Sequence, residues 1–467
     1  MAQYRQFRDP FFNLALGALE NRIHFNPCLF NSETLKNVSQ YASHELTMME
    51  MSDKPTHASR TGIIFGLILS RSLTHRVHPV VGRVVIKLWL GPDIDLNQNI
   101  KTSTCPEIES LRYEVLVYSR ITEKIIKPGY SVNFIPFIAY GRCKREDIEK
   151  TIPLLGKDFQ KLEKKYATDE GCQNPEYTNA VHMMITQAAC QNGVCQRLFD
   201  LTSKPALTRF TTNFFDIQNV SSILLTLVWS LAVLQHFAKI RHNDLHLQNI
   251  LLRDPDPNRP LFVYALSMER IYVIPPSWMP RQPVIFDWDR ASVYDSTFGP
   301  SNISLNAPST NYCYLFNQCS EKEDRFDLYT LLCYMGKLPD TIGEKVVQKI
   351  IPNFIPECKE IEKNNPIVTC RTKTFPTDFP TPYQMLATGK YFDPFLLKNV
   401  LQQDNLKVYA EKIIVFPWVG INRLTVEKFV KNQILNPQPQ PPTTSIRTQR
   451  GLPAGTLVGK PIGGSQK

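Results

Sequence analysis

Three polar residues in the segment RHNDLHLQNILLRD, residues 241–254, have the types and the spacing for catalysis: His242, Asp244 and Asn249. Transfer of a phosphoryl group needs a carboxylate that orients the attacking hydroxyl group, and oxygen ligands that hold Mg²⁺ against the phosphates. Asp244 and Asn249 suit these two tasks. The apolar residues on either side predict a short loop that is anchored in a core and directs both side chains at one point.

Three residues elsewhere in the chain have the chemistry that such a loop would need. Asp287 follows the apolar run PVIF, where a second carboxylate could reach a metal ion between phosphates. Lys87 stands in VVIKLWL, a predicted strand, and its ammonium group can meet phosphate oxygens. Glu114 stands in the predicted helix LRYEVLVYSRI and is one natural partner for that lysine.

Each of these residues also has a purely structural interpretation. Lys87 could be a solvated lysine on an edge strand, and Glu114 an exposed glutamate on a helix. Asp287 and Asn249 could be turn residues. His242 is expected to pack the loop under either interpretation. One phosphoryl-transfer site accounts for all the positions together, whereas the structural interpretations must hold independently.

Four segments follow one another along the chain: those with Lys87, with Glu114, with Asp244 and Asn249, and with Asp287. In that order they resemble the protein-kinase superfamily, and within it the divergent serine/threonine kinases of large DNA viruses. The resemblance extends over roughly residues 58–335. It implies ATP and Mg²⁺ as cofactors and a serine or threonine hydroxyl of a protein as the acceptor. It also implies a role for each matched position: Lys87 binds the α- and β-phosphates, Glu114 pairs with Lys87, Asp244 is the catalytic base, Asn249 is a metal ligand and Asp287 is the principal metal ligand.

Two further segments match the family. KEDRFDLYTLLCYM resembles the central helix of the large lobe, whose aspartate, here Asp327, holds the backbone of the catalytic loop. MMITQ resembles the strand that enters the hinge between the lobes, which implies that Thr186 or Gln187 lies near the adenine.

Several positions depart from the family pattern. The glycine-rich turn is reduced to Gly62, so we expect looser nucleotide binding, because only glycine lets backbone amides approach phosphates closely. His246 replaces the lysine that usually neutralises the transferring phosphate; it can donate a hydrogen bond but is an unreliable charge near neutral pH. Asn243 stands where arginine is frequent. Trp288 and Asp289 replace Phe-Gly, and Asp289 is a further candidate ligand.

The elements that would position these residues follow from hydrophobic periodicity. β-branched runs over residues 61–72 and 78–90 predict two antiparallel strands, and residues 133–141 and 180–187 predict two more. Residues 108–126 show helical spacing. With the resemblance, this pattern predicts an α+β protein of two lobes: a small N-lobe of antiparallel sheet with one key helix, and a larger, mainly helical C-lobe.

The predicted organisation has four parts: an N-terminal helical extension over residues 1–55, an N-lobe over 56–187 with a charged insertion at about 144–175, a C-lobe over 188–435 with an insertion at about 254–283, and a basic, Pro- and Gly-rich disordered tail over 436–467. The charged insertion is expected to be a solvated surface helix. The uncharged stretch 220–237 has almost the length of a membrane span, but its polar residues favour a helix buried in the large lobe.

Composition narrows the class of protein. The chain has 467 residues, 43% of them hydrophobic, which is enough for two lobes with cores. The net charge of +10 favours anionic partners, but the positive charges are spread along the chain, which argues against a nucleic-acid-binding protein. Eleven cysteines without zinc-site spacing, and no signal-peptide pattern, predict a reducing compartment: cytoplasm or nucleus, or host cytoplasm or virion for a viral protein. The sequence predicts no oligomeric state.

The predicted function is therefore ATP- and Mg²⁺-dependent phosphorylation of protein serine or threonine. Two alternatives share the same core. DLH and DWD also resemble segments of choline and aminoglycoside kinases, which implies a small-molecule kinase. The single glycine and His246 raise the alternative of a pseudokinase scaffold.

Overall fold

The computed structural model describes residues 63–70, 80–93, 106–151, 156–168, 173, 178–189, 196–198, 217–253, 259–294, 324–335 and 379–437. The predicted extension 1–55, Gly62 and the tail beyond residue 437 lie outside them. Within the described residues the chain is a mixed α+β protein of helices and small, mostly antiparallel sheets, as predicted.

The first half of the described chain forms one antiparallel sheet and three helices: β1 (Ile63–Ser70), β2 (Val80–Gly91), α1 (Pro106–Ile121), β3 (Phe137–Lys144), α2 (Arg145–Thr151), α3 (Gly156–Thr168) and β4 (Ala180–Gln187). The strand order is β1-β2-β4-β3. All four predicted strands are confirmed. β3 begins later than predicted because Asn133 and Phe134 pair with a strand of the second half instead.

Helix α1 connects the sheet to the second half of the chain. Val117 and Ile121, four residues apart on one helix face, are buried. A π-helical turn, Thr122–Ile126, continues the helix. Arg120 Nε donates a hydrogen bond of 2.5 Å to the carbonyl of Ala238. Helix α1 is therefore fixed relative to both the sheet and the second half.

The charged segment predicted as a surface insertion forms helices α2 and α3. Arg145 pairs with Glu149 at 2.8 Å and with Glu163 at 3.1 Å, which joins the two helices. Phe159 and Tyr166 on α3 are buried. Both helices are thus surface helices that pack on the sheet through one apolar side.

The described residues of the second half contain five α-helices and eight short strands: β5 (Gln196–Arg197), α4 (Ile217–Val233), β6 (Ile240–Arg241), β7 (Ile250–Arg253), β8 (Leu261–Ala265), β9 (Ile271–Ile274), β10 (Gln282–Ile285), β11 (Ser292–Val293), α5 (Phe326–Met335), α6 (Pro382–Thr388), α7 (Leu397–Gln403), β12 (Ile413–Pro417) and α8 (Arg423–Leu435). The sheet orders are β10-β7-β5, β11-β6 and β12-β8-β9.

The segment predicted as an insertion at about 254–283 supplies part of the core. β8 pairs in parallel with β12 and antiparallel with β9, and every residue of β8 and β9 is buried. Residues from Trp89 to Ile434 belong to one continuous hydrophobic core that both halves share. The segment is therefore integral to the fold of the second half.

Helix α4 is the buried helix that the sequence predicts. Among the described residues, one helical stretch, Gln218–Ala238, is long and apolar enough to cross a membrane, and 83% of its most apolar window is buried inside the protein. The hydroxyls of Ser222, Thr226 and Ser230 donate to carbonyls one turn earlier, so these polar groups are satisfied within the core.

The sulfur of Cys143 in β3 takes part in a disulfide bond. Disulfides are more typical of an oxidising compartment than of the reducing one that the cysteine spacing predicts. The location in cytoplasm or nucleus stays a prediction.

His182 in β4 is a buried histidine whose proton position is set by two partners. Nε2 donates to the carbonyl of Pro92 at 2.9 Å, so Nδ1 accepts from the hydroxyl of Tyr140 at 2.5 Å. Burial lowers the pKa of His182 to about 4. The ring is therefore neutral in the folded protein near pH 7.

We predict that His182 destabilises the fold as the pH falls. Because its folded pKa lies below the ordinary value of 6.5, the unfolded state takes up the proton first, and the stabilisation present above pH 6.5 is lost between pH 6.5 and 4. His182→Gln should lower the free energy of unfolding at pH 7.5. At pH 5 the loss caused by the substitution should be smaller by about 1–2 kcal/mol. Urea titrations at both pH values measure this, with the exposed His236→Gln as control. Equal effects of His182→Gln at the two pH values would contradict it.

Candidate functional site

Lys87 and Glu114 form a buried ion pair between β2 and α1. Lys87 Nζ lies 2.5 Å from Glu114 Oε2, and the two residues are 7% and 2% exposed. β2 pairs with β1 on one side and β4 on the other. The interpretation of Lys87 as an edge lysine is therefore wrong, and so is that of Glu114 as an exposed helix residue. Buried charges are tolerated when they are paired in this way.

Lys87 faces more than one carboxylate. Burial lowers its pKa, but Glu114, Asp287 and Asp289 together raise the pKa above its ordinary value. Burial raises the pKa of Glu114, and Lys87 offsets this only in part. The lysine therefore stays protonated near neutral pH. Asp287 and Asp289, which follow β10, therefore lie within electrostatic range of Lys87.

Asp327 on α5 holds the loop that follows β6. Its Oδ2 accepts from the backbone N–H of His242 at 2.7 Å, and its Oδ1 from that of Asn243 at 2.9 Å. The predicted contact of Asp327 with the loop backbone is thus confirmed. Asn243 has a φ of 65°, a left-handed conformation that asparagine adopts more readily than most residues other than glycine. The two hydrogen bonds from Asp327 keep the loop in this conformation.

His242 is structural, as predicted. It is fully buried, its Nε2 lies 2.9 Å from the carbonyl oxygen of Phe286, and its ring centre lies 4.6 Å from that of Trp288. Burial lowers its pKa, so the neutral ring donates from Nε2 to that carbonyl. His242 therefore joins the loop to the segment after β10.

The antiparallel pairing of β7 with β10 brings Asn249 and Asp287 to the same end of this strand pair. Ile250 is opposite Ile285, so the residue before β7 meets the residues after β10, and the hydrogen-bond ladder continues to the carbonyl of Asn249. The side-chain Nδ2 of Asn249 donates to the carbonyl of Asp244 at 2.9 Å. This leaves Oδ1 as the atom of Asn249 that suits a cation.

Asp287 has a left-handed backbone conformation and is linked to α1. Its φ is 68°, and its N–H donates a long hydrogen bond of 3.4 Å to Tyr118 Oη. Tyr118 lies one turn after Glu114, so the same face of α1 contacts both Lys87 and Asp287. Burial, together with the charge of Asp289, raises the pKa of Asp287 well above its usual range.

Asp244 has two nitrogen-bearing side chains near one oxygen. Arg290 Nη1 lies 3.4 Å and His246 Nε2 lies 3.6 Å from Asp244 Oδ2. Burial raises the pKa of Asp244 to about 7, although Arg290 acts in the opposite direction. Burial lowers the pKa of His246 to about 4. The predicted weakness of His246 as a positive charge is thus supported.

The charges around Asp287 are predominantly negative. It interacts electrostatically with three other carboxylates: Glu114, Asp244 and Asp289. Among the described residues, no group of three or more His, Cys, Asp and Glu side chains is arranged to hold a metal ion. Mg²⁺, however, commonly takes one or two protein ligands and completes its shell with water and substrate phosphates. Asp287 and Asn249 fit a site of that kind.

Thr186 and Gln187 end β4, and the strand register separates them. Lys87 is opposite Met184, so Thr186, two residues further on, shares a sheet face with Lys87, while Gln187 points to the other face. Thr186 is therefore the one of the two on the side of the candidate site. Their predicted position near an adenine stays a prediction, and Gly62 lies outside the described residues.

Two residues at this site, Tyr118 and Arg290, were not predicted from the sequence. Tyr118 had a signal, because its spacing from Glu114 puts both on one helix face. Arg290 had none. It returns to Asp244 because β11 pairs with β6, a contact that no local pattern predicts.

Comparison with models of known protein families found no match, and comparison with curated proteins found none either. The function is therefore inferred from the chemistry of the site.

We predict that Asp327→Ala lowers the free energy of unfolding by about 2–4 kcal/mol, because it leaves two buried N–H groups without an acceptor. Asp327→Asn keeps one acceptor oxygen and should cost about half as much. Chemical denaturation measures both. Asp404→Ala is the control, since Asp404 accepts only a long hydrogen bond of 3.4 Å from Ser277. The role of Asp327 would be disproved by an equal loss in Asp327→Ala and Asp404→Ala.

Proposed function

We propose that this chain has a protein-kinase-like fold, with lobes over residues 56–187 and 188–435, and that it transfers the γ-phosphate of ATP to serine or threonine hydroxyls of a protein. One observation carries the proposal. The ion pair of Lys87 with Glu114 lies within electrostatic range of Asp287, which lies at the same end of the β7–β10 strand pair as Asn249. Residues from four separate segments thus lie together in the combination that phosphoryl transfer needs.

Lys87, Asp287 and Asn249 would bind the nucleotide's phosphates and its metal ion. Lys87 stays protonated beside the carboxylates and can pair with phosphate oxygens. Asp287 and Asn249 Oδ1 would hold Mg²⁺, which when bound neutralises charge on the phosphates. The raised pKa of Asp287 supports a cation at this point, because a positive ion would relieve the repulsion among the carboxylates.

Asp244 would orient the acceptor hydroxyl and accept its proton. A general base is most effective when its pKa lies near the working pH, and burial raises the pKa of Asp244 to about 7. The hydrogen bonds from the neighbouring backbone to Asp327 hold the loop in position. Most of the rate gain would come from positioning and from stabilisation of charge.

The acceptor is the part of the proposal that the resemblance supports rather than the geometry. Labelled ATP with casein, a basic protein, choline and an aminoglycoside as acceptors separates a protein kinase from a small-molecule kinase. Binding of Mg-ATP without transfer to any of these acceptors would identify a scaffold instead.

We predict that Asp244→Asn lowers the rate of transfer from γ-labelled ATP by at least about a hundredfold, because the variant cannot accept the proton. Its melting temperature should not fall, because burial raises the pKa of Asp244 to about 7 and the amide keeps the shape of the neutral side chain that burial favours. Glu411→Gln, at an exposed acid that pairs with Lys431 at the surface, is the control and should keep the full rate. Transfer by purified Asp244→Asn at the parent's rate would refute the assignment.

We predict that Asp287→Asn abolishes the effect of Mg²⁺ on ATP binding. Mg-ATP at a hundred times its Kd should stabilise the parent by about 2.7 kcal/mol. In the variant, the stabilisation by ATP should be equal in the presence and in the absence of Mg²⁺. Without nucleotide, the variant should melt no lower than the parent, because the neutral amide mimics the protonated form that the raised pKa favours. Thermal melts with ATP, with and without Mg²⁺, test this, and an unchanged Mg²⁺ effect would exclude Asp287 as a ligand.

A further inference from the structure

Arg290 lies beside Asp244, the general base of the proposed function. The mechanism above gives Arg290 no role. Its guanidinium Nη1 is 3.4 Å from Asp244 Oδ2, and its side chain is 16% exposed. An arginine in such a position presents several fixed N–H donors, the geometry that matches the oxygens of a phosphate group.

The backbone around Arg290 is anchored to the loop that carries Asp244. Its carbonyl accepts from Asn243 Nδ2 at 2.7 Å, and the same amide group donates to Ser292 Oγ at 2.7 Å. Immediately after, β11 pairs with β6, the strand that leads into the loop. Arg290 therefore keeps a fixed position relative to Asp244, while its side chain reaches the carboxylate.

The neighbouring His246 does not supply a positive charge at this position. Its Nδ1 accepts a hydrogen bond of 3.2 Å from the N–H of Gln248, so the ring has a single proton, on Nε2, and is neutral. Nε2 and the guanidinium of Arg290 approach the same oxygen of Asp244. Of the two groups, Arg290 is the cation.

We propose that Arg290 is a catalytic residue that binds the γ-phosphoryl group of ATP, in place of the lysine that His246 replaces. The inference rests on the proposed function. As the acceptor oxygen bonds to the γ-phosphorus, the bond from that phosphorus to the β–γ bridging oxygen breaks, and the acceptor's proton passes to Asp244. The guanidinium turns from Asp244 to the equatorial oxygens of the γ-phosphoryl group and neutralises their charge, without gaining or losing a proton. Charge supplied by arginine in this way contributes about a thousandfold or more in phosphoryl transfer.

Four variants test the proposal: Arg290→Gln, Arg290→Lys, His246→Lys and the double variant Arg290→Gln/His246→Lys. The probes are Mg-ADP and the Mg²⁺ complex of the imido analogue of ATP, and the readouts are the two Kd values, kcat and the melting temperature. Arg290→Gln should lower kcat by at least a hundredfold and the preference for triphosphate over diphosphate by about tenfold, with the Kd of Mg-ADP unchanged. Arg259→Gln, at an exposed arginine, is the control and should change none of these.

Rescue separates a role of charge from a structural role. The double variant should regain at least tenfold in kcat over Arg290→Gln, because lysine at position 246 returns a cation to the same oxygen of Asp244. A double variant no faster than Arg290→Gln overturns the proposal, as does an Arg290→Gln protein with the parent's kcat and triphosphate preference. Should Arg290→Gln melt below the parent, Arg290→Lys decides: a kcat within about thirtyfold of the parent supports the role, and a greater loss overturns it.

The same measurements distinguish failure of this inference from failure of the proposed function. An active parent whose rate depends on Asp244 but not on Arg290 overturns the inference alone. A parent that neither binds Mg-ATP nor transfers phosphate overturns both.

Discussion

The repulsion among buried carboxylates is the constraint on which the candidate site depends. Asp287 interacts electrostatically with Glu114, Asp244 and Asp289, which raise its pKa, and with Lys87, whose positive charge lowers it. In a poorly solvated interior such repulsion is stronger than in water. This cluster therefore costs stability, and the hydrophobic core that both halves share must offset that cost. Sites that keep such a cost are commonly those that a ligand completes.

Two of the four described non-glycine residues with positive φ lie at the same place: Asn243, which precedes Asp244, and Asp287. Asparagine and aspartate adopt this left-handed region more readily than most residues other than glycine, but each still benefits from support. Asp327 supports the first through the loop backbone, and Tyr118 contacts the N–H of the second. Helices α5 and α1, which carry these two side chains, thus hold the polar groups of the site in one geometry.

Local patterns in the sequence predicted the elements of the first half well, since the alternation in β2 and β4 and the helical spacing of α1 are properties of single segments. Local patterns placed Lys87 on a strand and Glu114 on a helix, but their pairing was predicted only through the family resemblance. Pairings between distant segments were not predictable. β12 joins β8 from far along the chain, so β8 and β9, which lie in the segment predicted as an insertion, are part of the core. The contact of Arg290 with Asp244 was missed for the same reason.

Trp288 makes a large movement of Asp287 costly. The indole is fully buried, with ring centres of His242, Phe134 and Tyr118 at 4.6, 6.0 and 6.5 Å. Moving Asp287 out of the site would draw this side chain from the core, and loss of a buried tryptophan costs on the order of 3–5 kcal/mol. Phenylalanine or glycine at these positions would make the same movement cheaper. For the proposed function, control by moving Asp287 out of the site would therefore carry a high energetic cost.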